Sequence, residues 1–297
     1  MKYEFISLYR SRFRLTKMCR VLNISRSGYY AWRRRGKSRR GLENEKLVRS
    51  IRRVHEQSRR IYGSPRITAE LRAADVNCSK NRIARLMREN GIRSIIKRKH
   101  RSTTCSRHRL PVADNIIGRK FQAERPDRIW LSDITYIRCL HGWLYLTAIM
   151  DLFSRRIVGW SLSSNLSTLP VVQTLKRAVA ERRPQPGLIF HSDRGVQFAD
   201  HDFRRLLREH GMKQSMSRKG DCYDNAVMES FFDTLKSEYV SFERFESAEQ
   251  ARRGLFDYID VFYNHKRIHS SLGYCSPAAF EMDFRKRSAF PSVHFFG

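Results

Sequence analysis

What the first 120 residues lack is acid. Only 8 of the chain's 29 Asp and Glu fall in residues 1–120, against 34 of its 59 Lys and Arg, an excess of 26 positive charges out of +30 overall. Residues 121–297 are close to balanced. A one-sign block of that size points to a polyanion, and nucleic acid is the commonest one. Cysteine is also sparse. Six are scattered along 297 residues without a C-x-x-C pair, which excludes a zinc ribbon or a disulfide framework and predicts free thiols in a reducing compartment. No apolar run reaches the length of a membrane span and no secretory leader pattern is present, so the expectation is a cytoplasmic protein without a membrane partner. There is no heptad run, and so no coiled coil of its own.

The basic part is nevertheless ordered in pattern. In "LTKMCRVLNISRSGYYAWRRR" (15–35), Leu15, Met18, Cys19 and Leu22 recur at helical spacing. Asn23-Ile24 makes a turn and Ser25 suits the N-cap of a second helix. Helix, turn and basic helix form a helix-turn-helix pattern over residues 1–40. Arg26, Tyr29, Tyr30, Arg33 and Arg34 are its expected DNA contacts. A second such unit is expected over 41–95. "NEKLVRSIRRVHEQ" places Leu47, Ile51 and Val54 on one face, and "SPRITAELRAA" opens with Pro65 at a first helical position after Ser64. "CSKNRIARLMRENGI" starts at a Ser79 cap and stops at Gly91. Ile83, Leu86 and Met87 should face inward, leaving Lys80, Arg82 and Arg85 for DNA. Residues 96–124 lack a helical period and read as a basic linker lying on a nucleic-acid backbone, with Lys97, Arg98 and Lys99 as contacts.

From residue 125 the character changes. "RIWLSDITYIRC", "WLYLTAIMD" and "RIVGWSLSS" read as three strands of an antiparallel meander. A helix over 168–183, the strand "GLIFHSD", the helix "DHDFRRLLREHG" and the strand "KQSMS" follow. The order β-β-β-α-β-α-β predicts an α/β layered domain. Asp133 lies mid-strand, where a charge is costly unless it is paired or binds a metal. Asp193 ends a buried strand, either as an ordinary turn former or as a second carboxylate beside Asp133. Glu229 sits on a helix capped by Asp224 or Asn225. Two Asp on strands and a Glu on a helix suit two divalent cations, Mg²⁺ or Mn²⁺ by the hardness of the ligands. Two such ions serve an in-line phosphoryl displacement. Lys236, two turns past Glu229, either reaches a phosphate or pairs with Asp233 or Glu229. His191 either touches substrate or is structural. "YNHKRIHSSLGYCSPAAFE", with Arg267, either holds DNA or packs the C-terminal helix.

The stretches "WLSDIT", "HSDRGVQF", "GDCYDNAVMESFFDTLKSE" and "YNHKRIHSSLGYCSPAAFE", in this order, resemble the DDE transposase and retroviral-integrase core. With "SRSGYYAW" and "YGSPRI" the chain resembles, over nearly its whole length, the second-frame (OrfB) transposase of the insertion-sequence-three family. The resemblance implies a ribonuclease-H-like core over 125–240, a mixed five-stranded sheet flanked by helices. All-α helix-turn-helix domains precede it, and a C-terminal helical extension and tail follow over 241–297. It implies Asp133, Asp193 and Glu229 as the acidic triad and Lys236 as the basic residue that accompanies it. Asp221 departs from the Asn more usual there. It also implies a bacterial, nucleoid-associated enzyme that binds terminal inverted repeats, frees a 3′-OH at each element end and joins it to DNA. At least a dimer would pair the ends, and a first-frame (OrfA) protein would be partner or fusion. The rival readings are a DNA-binding regulator and a ribonuclease-H-type nuclease without strand transfer.

Overall fold

A computed structural model describes residues 2–36, 38–95, 111–119, 121–218 and 222–289. At the N-terminus α1 (Lys2–Tyr9), α2 (Leu15–Val21) and α3 (Arg26–Arg34) close around Ile6, Met18, Cys19 and Tyr29. Ser25 caps α3 by accepting the Gly28 N–H at 3.0 Å. The turn before it passes through Asn23 at φ +50, a left-handed value that asparagine tolerates.

Three more helices follow, α4 (Arg39–Gln57), α5 (Ser64–Ala73) and α6 (Lys80–Glu89). Gly63 rather than Ser64 stands at the cap of α5, and Pro65 lies in the first turn, where its missing N–H costs nothing. Ser79 caps α6 through the Arg82 N–H, and Gly91 ends it at φ +66. Leu47, Ile51, Ile67, Leu71, Ile83, Leu86 and Met87 are buried and run into the apolar cluster of the sheet domain.

That sheet has five strands, β1 (Ile129–Cys139), β2 (Gly142–Asp151), β3 (Ile157–Ser163), β4 (Ile189–Ser192) and β5 (Lys213–Met216), in the order β3-β2-β1-β4-β5. The first three form the antiparallel meander. β4 lies parallel to β1 and β5 parallel to β4. A parallel return requires a crossover, which α7 (Thr168–Arg182) makes. α7 packs on one face with α8 (Val196–Ala199) and α9 (His201–Glu209), burying Trp130, Ile149, Leu175, Phe190, Phe198 and Phe203. On β3, a Cβ at Gly159 would stand 3.0 Å from the Ala178 Cβ and 3.3 Å from the Thr174 carbonyl oxygen. Glycine there lets α7 lie against bare backbone.

The opposite face takes α10 (Ala226–Glu238) and α11 (Ala248–Phe256), which cover Leu131, Ile137, Leu146, Ala148 and Met150. α11 continues through wider π-type turns over Asp257–Tyr263, and Leu255, Tyr258, Ile259 and Phe262 join this cluster. The last helix, α12 (Pro277–Ala289), is held by a buried ion network. Arg182 at the end of α7 donates to Asp127 at 2.9 Å and to Glu281 of α12 at 2.8 Å, and Asp151 stands 3.4 Å away.

Candidate active site

The register of two parallel strands brings the first two carboxylates together. β1 and β4 pair from Ile129↔Ile189 to Ser132↔Ser192, so the next residues stand at the same level, Asp133 within β1 and Asp193 just past the end of β4. Neighbouring strands run about 4.8 Å apart. Asp133 lies on the α10 face, with Leu131 and Ile137. Its Oδ1 accepts the N–H of Ile134 at 2.7 Å. The Asp193 Oδ1 accepts the Gly195 N–H at 2.9 Å, which makes a turn leading into α8. Asp193 is therefore at once a turn former and a second carboxylate at the level of Asp133.

Glu229 stands in the first turn of α10, whose Met228, Phe231, Phe232 and Leu235 anchor the helix on the sheet. Burial pushes the Asp133 carboxyl well above the usual range, and the negative charge of Asp193 and then that of Glu229 push the same way. The Ile134 N–H and the Lys236 ammonium oppose them. Burial raises Glu229 too, as does Asp233 one turn on. Lys236 is half-buried, and burial lowers it against the pull of Asp233 and Asp133. Asp133, Asp193, Glu229 and Lys236 thus share one electrostatic field. Among the described residues no three His, Cys, Asp or Glu side chains stand close enough to hold one ion jointly.

The residues around this cluster were less legible. His191 is buried, with Nδ1 2.9 Å from the Ser215 Oγ and Nε2 2.9 Å from the Asp224 carbonyl oxygen. Burial lowers its pKa, so a neutral ring ties β4 to the approach of α10. It is structural. Asp224 does not cap α10. Its buried carboxylate accepts from the Arg218 backbone N–H and guanidinium, from Arg119 Nε and from Asn115 Nδ2. The hydrogen bonds from Arg218 hold it far below the ordinary carboxylate range. Sequence spacing could not announce this clamp, because Asn115 and Arg119 lie more than 100 positions before Asp224. Asn225, at the cap position, makes no side-chain capping bond. It is 4% exposed, its Nδ2 donates to the Ser132 carbonyl oxygen at 3.3 Å, and its Oδ1 has no protein partner. Asp221 lies outside the described residues.

The expected DNA contacts divide. Arg26, Tyr30, Arg33 and Arg34 are exposed on α3. Tyr29 is not available to DNA. It is 1% exposed, and its ring packs near those of Tyr3 and Trp32 in the small N-terminal core. An aromatic next to a basic helix end fills the core when the unit has few other apolar side chains. On α6, Lys80 is exposed and Arg85 is exposed beside Glu89 at 2.9 Å. Arg82 is drawn to Asn44 at 2.9 Å and Glu43 at 3.5 Å. Lys97, Arg98 and Lys99 lie outside the described residues. Arg267 is also not a DNA contact. It is 4% exposed and makes a two-pronged pair with Glu238, Nε to Oε2 at 2.8 Å and Nη2 to Oε1 at 2.7 Å. The chain turns inward after the π-type segment and carries Arg267 beneath the end of α10.

Comparison with known proteins agrees with this architecture. Residues 123–222 and 210–277 match families described as integrase core domain, and residues 42–100 match one described as HTH-like domain. The transposase InsF for insertion sequence IS3A of Escherichia coli (strain K12) is 39% identical over 283 residues, 95% of this chain and 98% of that protein. The insertion element IS600 uncharacterized 31 kDa protein of Shigella sonnei is 41% identical over 272 residues, 92% of this chain and all of that one. A simian T-cell lymphotropic virus intasome in complex with a PP2A regulatory subunit aligns with a TM-score of 0.46 and 14% identity, over 78% of this chain and 74% of that one. With an HTH-like unit ahead of a five-stranded integrase core, and with such relatives matched almost end to end, the chain belongs to the IS3 family of transposases, enzymes with a DDE polynucleotidyl-transferase core.

Proposed function

We propose that Asp133, Asp193 and Glu229 are the catalytic carboxylates of this transposase and would hold two Mg²⁺ ions. The observation that carries this is the β1–β4 register, which brings Asp133 of β1 level with Asp193, the residue just past the end of β4. Integrase cores are metal-dependent. The residues fit a hard cation. The donors are oxygens only, the Asp133 carboxyl is crowded by two like charges, and the buried Asn225 Oδ1 lacks a protein donor. When bound, two such ions activate the attacking oxygen and stabilise the leaving one.

The chain's own residues do the rest. Lys236, drawn toward Asp133 from the helix of Glu229, is placed to carry a phosphate of the DNA end as a point charge. The Asp224 clamp and neutral His191 fix the start of α10 against β4, and so fix Glu229 against Asp193. The exposed basic face of α3 and the HTH-like unit read the terminal inverted repeats. The core then hydrolyses one strand at each element end, and the freed 3′-OH attacks a second phosphodiester without a covalent enzyme intermediate. Pairing two ends takes at least a dimer, and a first-frame protein is its partner in that pairing.

The test is a labelled element end incubated with the protein and Mg²⁺. The reading predicts a 3′-cleaved strand followed by strand-transfer products. Cleavage with no joined product would support a nuclease, and binding alone a regulator.

A further inference from the structure

The buried pair that removes Arg267 from the DNA surface stands at the junction of the HTH-like unit and the catalytic helix. Glu238 is the last residue of α10, the helix that carries Glu229. Besides Arg267, it accepts the Tyr258 hydroxyl at 2.8 Å and lies 3.8 Å from Arg66 Nη1, which comes from α5 of the HTH-like unit. Four residues before Arg66, the Tyr62 hydroxyl accepts the Ile268 N–H at 2.8 Å and reaches the Lys266 carbonyl oxygen at 3.4 Å. Three residues before that, Arg59 pairs with Asp257 and lays its guanidinium 4.7 Å from the Phe262 ring centre. One short segment, 59–66, therefore engages both the end of α10 and the segments that pack beneath it.

Two further observations show that this contact is built. Arg59 and Arg60 adopt φ of +56 and +62, left-handed values that arginine takes at a cost and keeps only where the surroundings impose them. Around the one carboxylate of Glu238 stand Arg66 and Arg267. Burial first, and then Arg267, Arg66 and Arg155, push the neighbouring His269 down to about 2. A cluster so rich in cations holds its shape only while Glu238 is seated in it.

We infer that Tyr62, Arg66, Glu238 and Arg267 form a joint that sets the HTH-like unit against the catalytic helix and so selects which phosphodiester reaches Asp133, Asp193 and Glu229. These are positioning residues, since none of them touches the reacting atoms. The inference rests on the proposed active site. An end held by the HTH-like unit is delivered at a fixed distance and angle only if this unit cannot pivot on α10. A misplacement near 1 Å costs on the order of 100-fold in rate, and a larger pivot brings a neighbouring phosphodiester into the site.

The experiment uses the full chain, a labelled element end and Mg²⁺, with Tyr62→Phe and Arg66→Met singly and together, and Arg66→Lys as the conservative control. End-DNA affinity, thermal melting and the nucleotide position of each cut are measured. The joint predicts affinity within about twofold of the parent and a correct cut slowed on the order of 100-fold. It also predicts new cuts one or more nucleotides away, with the position recovered in Arg66→Lys. If the double variant cuts at the parent position at the parent rate, the joint is overturned. A uniform loss of rate that follows melting, with no displaced cut, overturns it equally and makes the contact stabilising only. Asp133→Asn separates this from the active-site reading, because it should abolish displaced and correct cuts alike.

Discussion

Asp133→Asn should raise the melting temperature of the metal-free protein while abolishing its chemistry. Asp133 of β1 and Asp193, just past the end of β4, stand at one level. Two full charges about 5 Å apart repel by roughly 3 kcal/mol at an effective dielectric near 20. Part of this is already relieved, because burial and the Asp193 charge make Asp133 take up a proton more readily than an ordinary aspartate, and Lys236 and the Ile134 N–H partly offset the charge. A net gain of about 1–2 kcal/mol remains, which for a domain of this size is a rise of roughly 2–8 °C. The amide keeps the shape of the side chain and can still accept the Ile134 N–H. The assay is thermal unfolding of parent and variant in EDTA and in millimolar Mg²⁺. The parent should gain stability on adding Mg²⁺ by mass action, and the variant should gain less. A variant that melts below the parent in EDTA would refute the reasoning, because the carboxylates would then not be crowding one another.

Gly159→Val should destabilise the core by about 1–3 kcal/mol, since the Ala178 Cβ and the Thr174 carbonyl leave no room for a branched side chain; chemical denaturation measures this. Burial first, with Asp127 and Glu281 adding, raises Asp151 to about 7. A folded pKa above the unfolded one contributes stability that is whole below about pH 4 and is lost as pH rises through about 7. The melting temperature of the parent relative to Asp151→Asn should therefore fall between pH 5 and pH 8, and a flat difference would count against the shift. Arg33→Ala and Arg34→Ala should each lower the salt slope of end-DNA binding by about one unit, whereas Tyr29→Phe should leave it unchanged.

The succession of strands and helices along the chain was legible because each element carries its own period, and Ser25 and Ser79 could be placed because capping is a local bond. Asp133 stood out because a charge in an apolar strand is costly unless it is paired or binds a metal. α1 was not anticipated. It has eight residues and buries Ile6 alone, too little for a helical period to show. Tyr29 and Arg267 were read by type, as an aromatic and a cation in basic stretches, but side-chain type does not reveal which way a residue faces once distant segments meet. The Asp224 clamp and the Tyr62–Glu238–Arg267 joint are formed by residues 105 to 206 positions apart as well as by near neighbours. Nothing local in the chain marks such pairs.

The most direct measurement is strand transfer on a labelled element end in Mg²⁺ by the parent, Asp133→Asn, Asp193→Asn and Glu229→Gln, each first shown to be folded and to bind the end. The account predicts 3′ cleavage and joining by the parent, and neither by any of the three variants. Near-parent joining by any one of them would contradict the assignment of the three carboxylates.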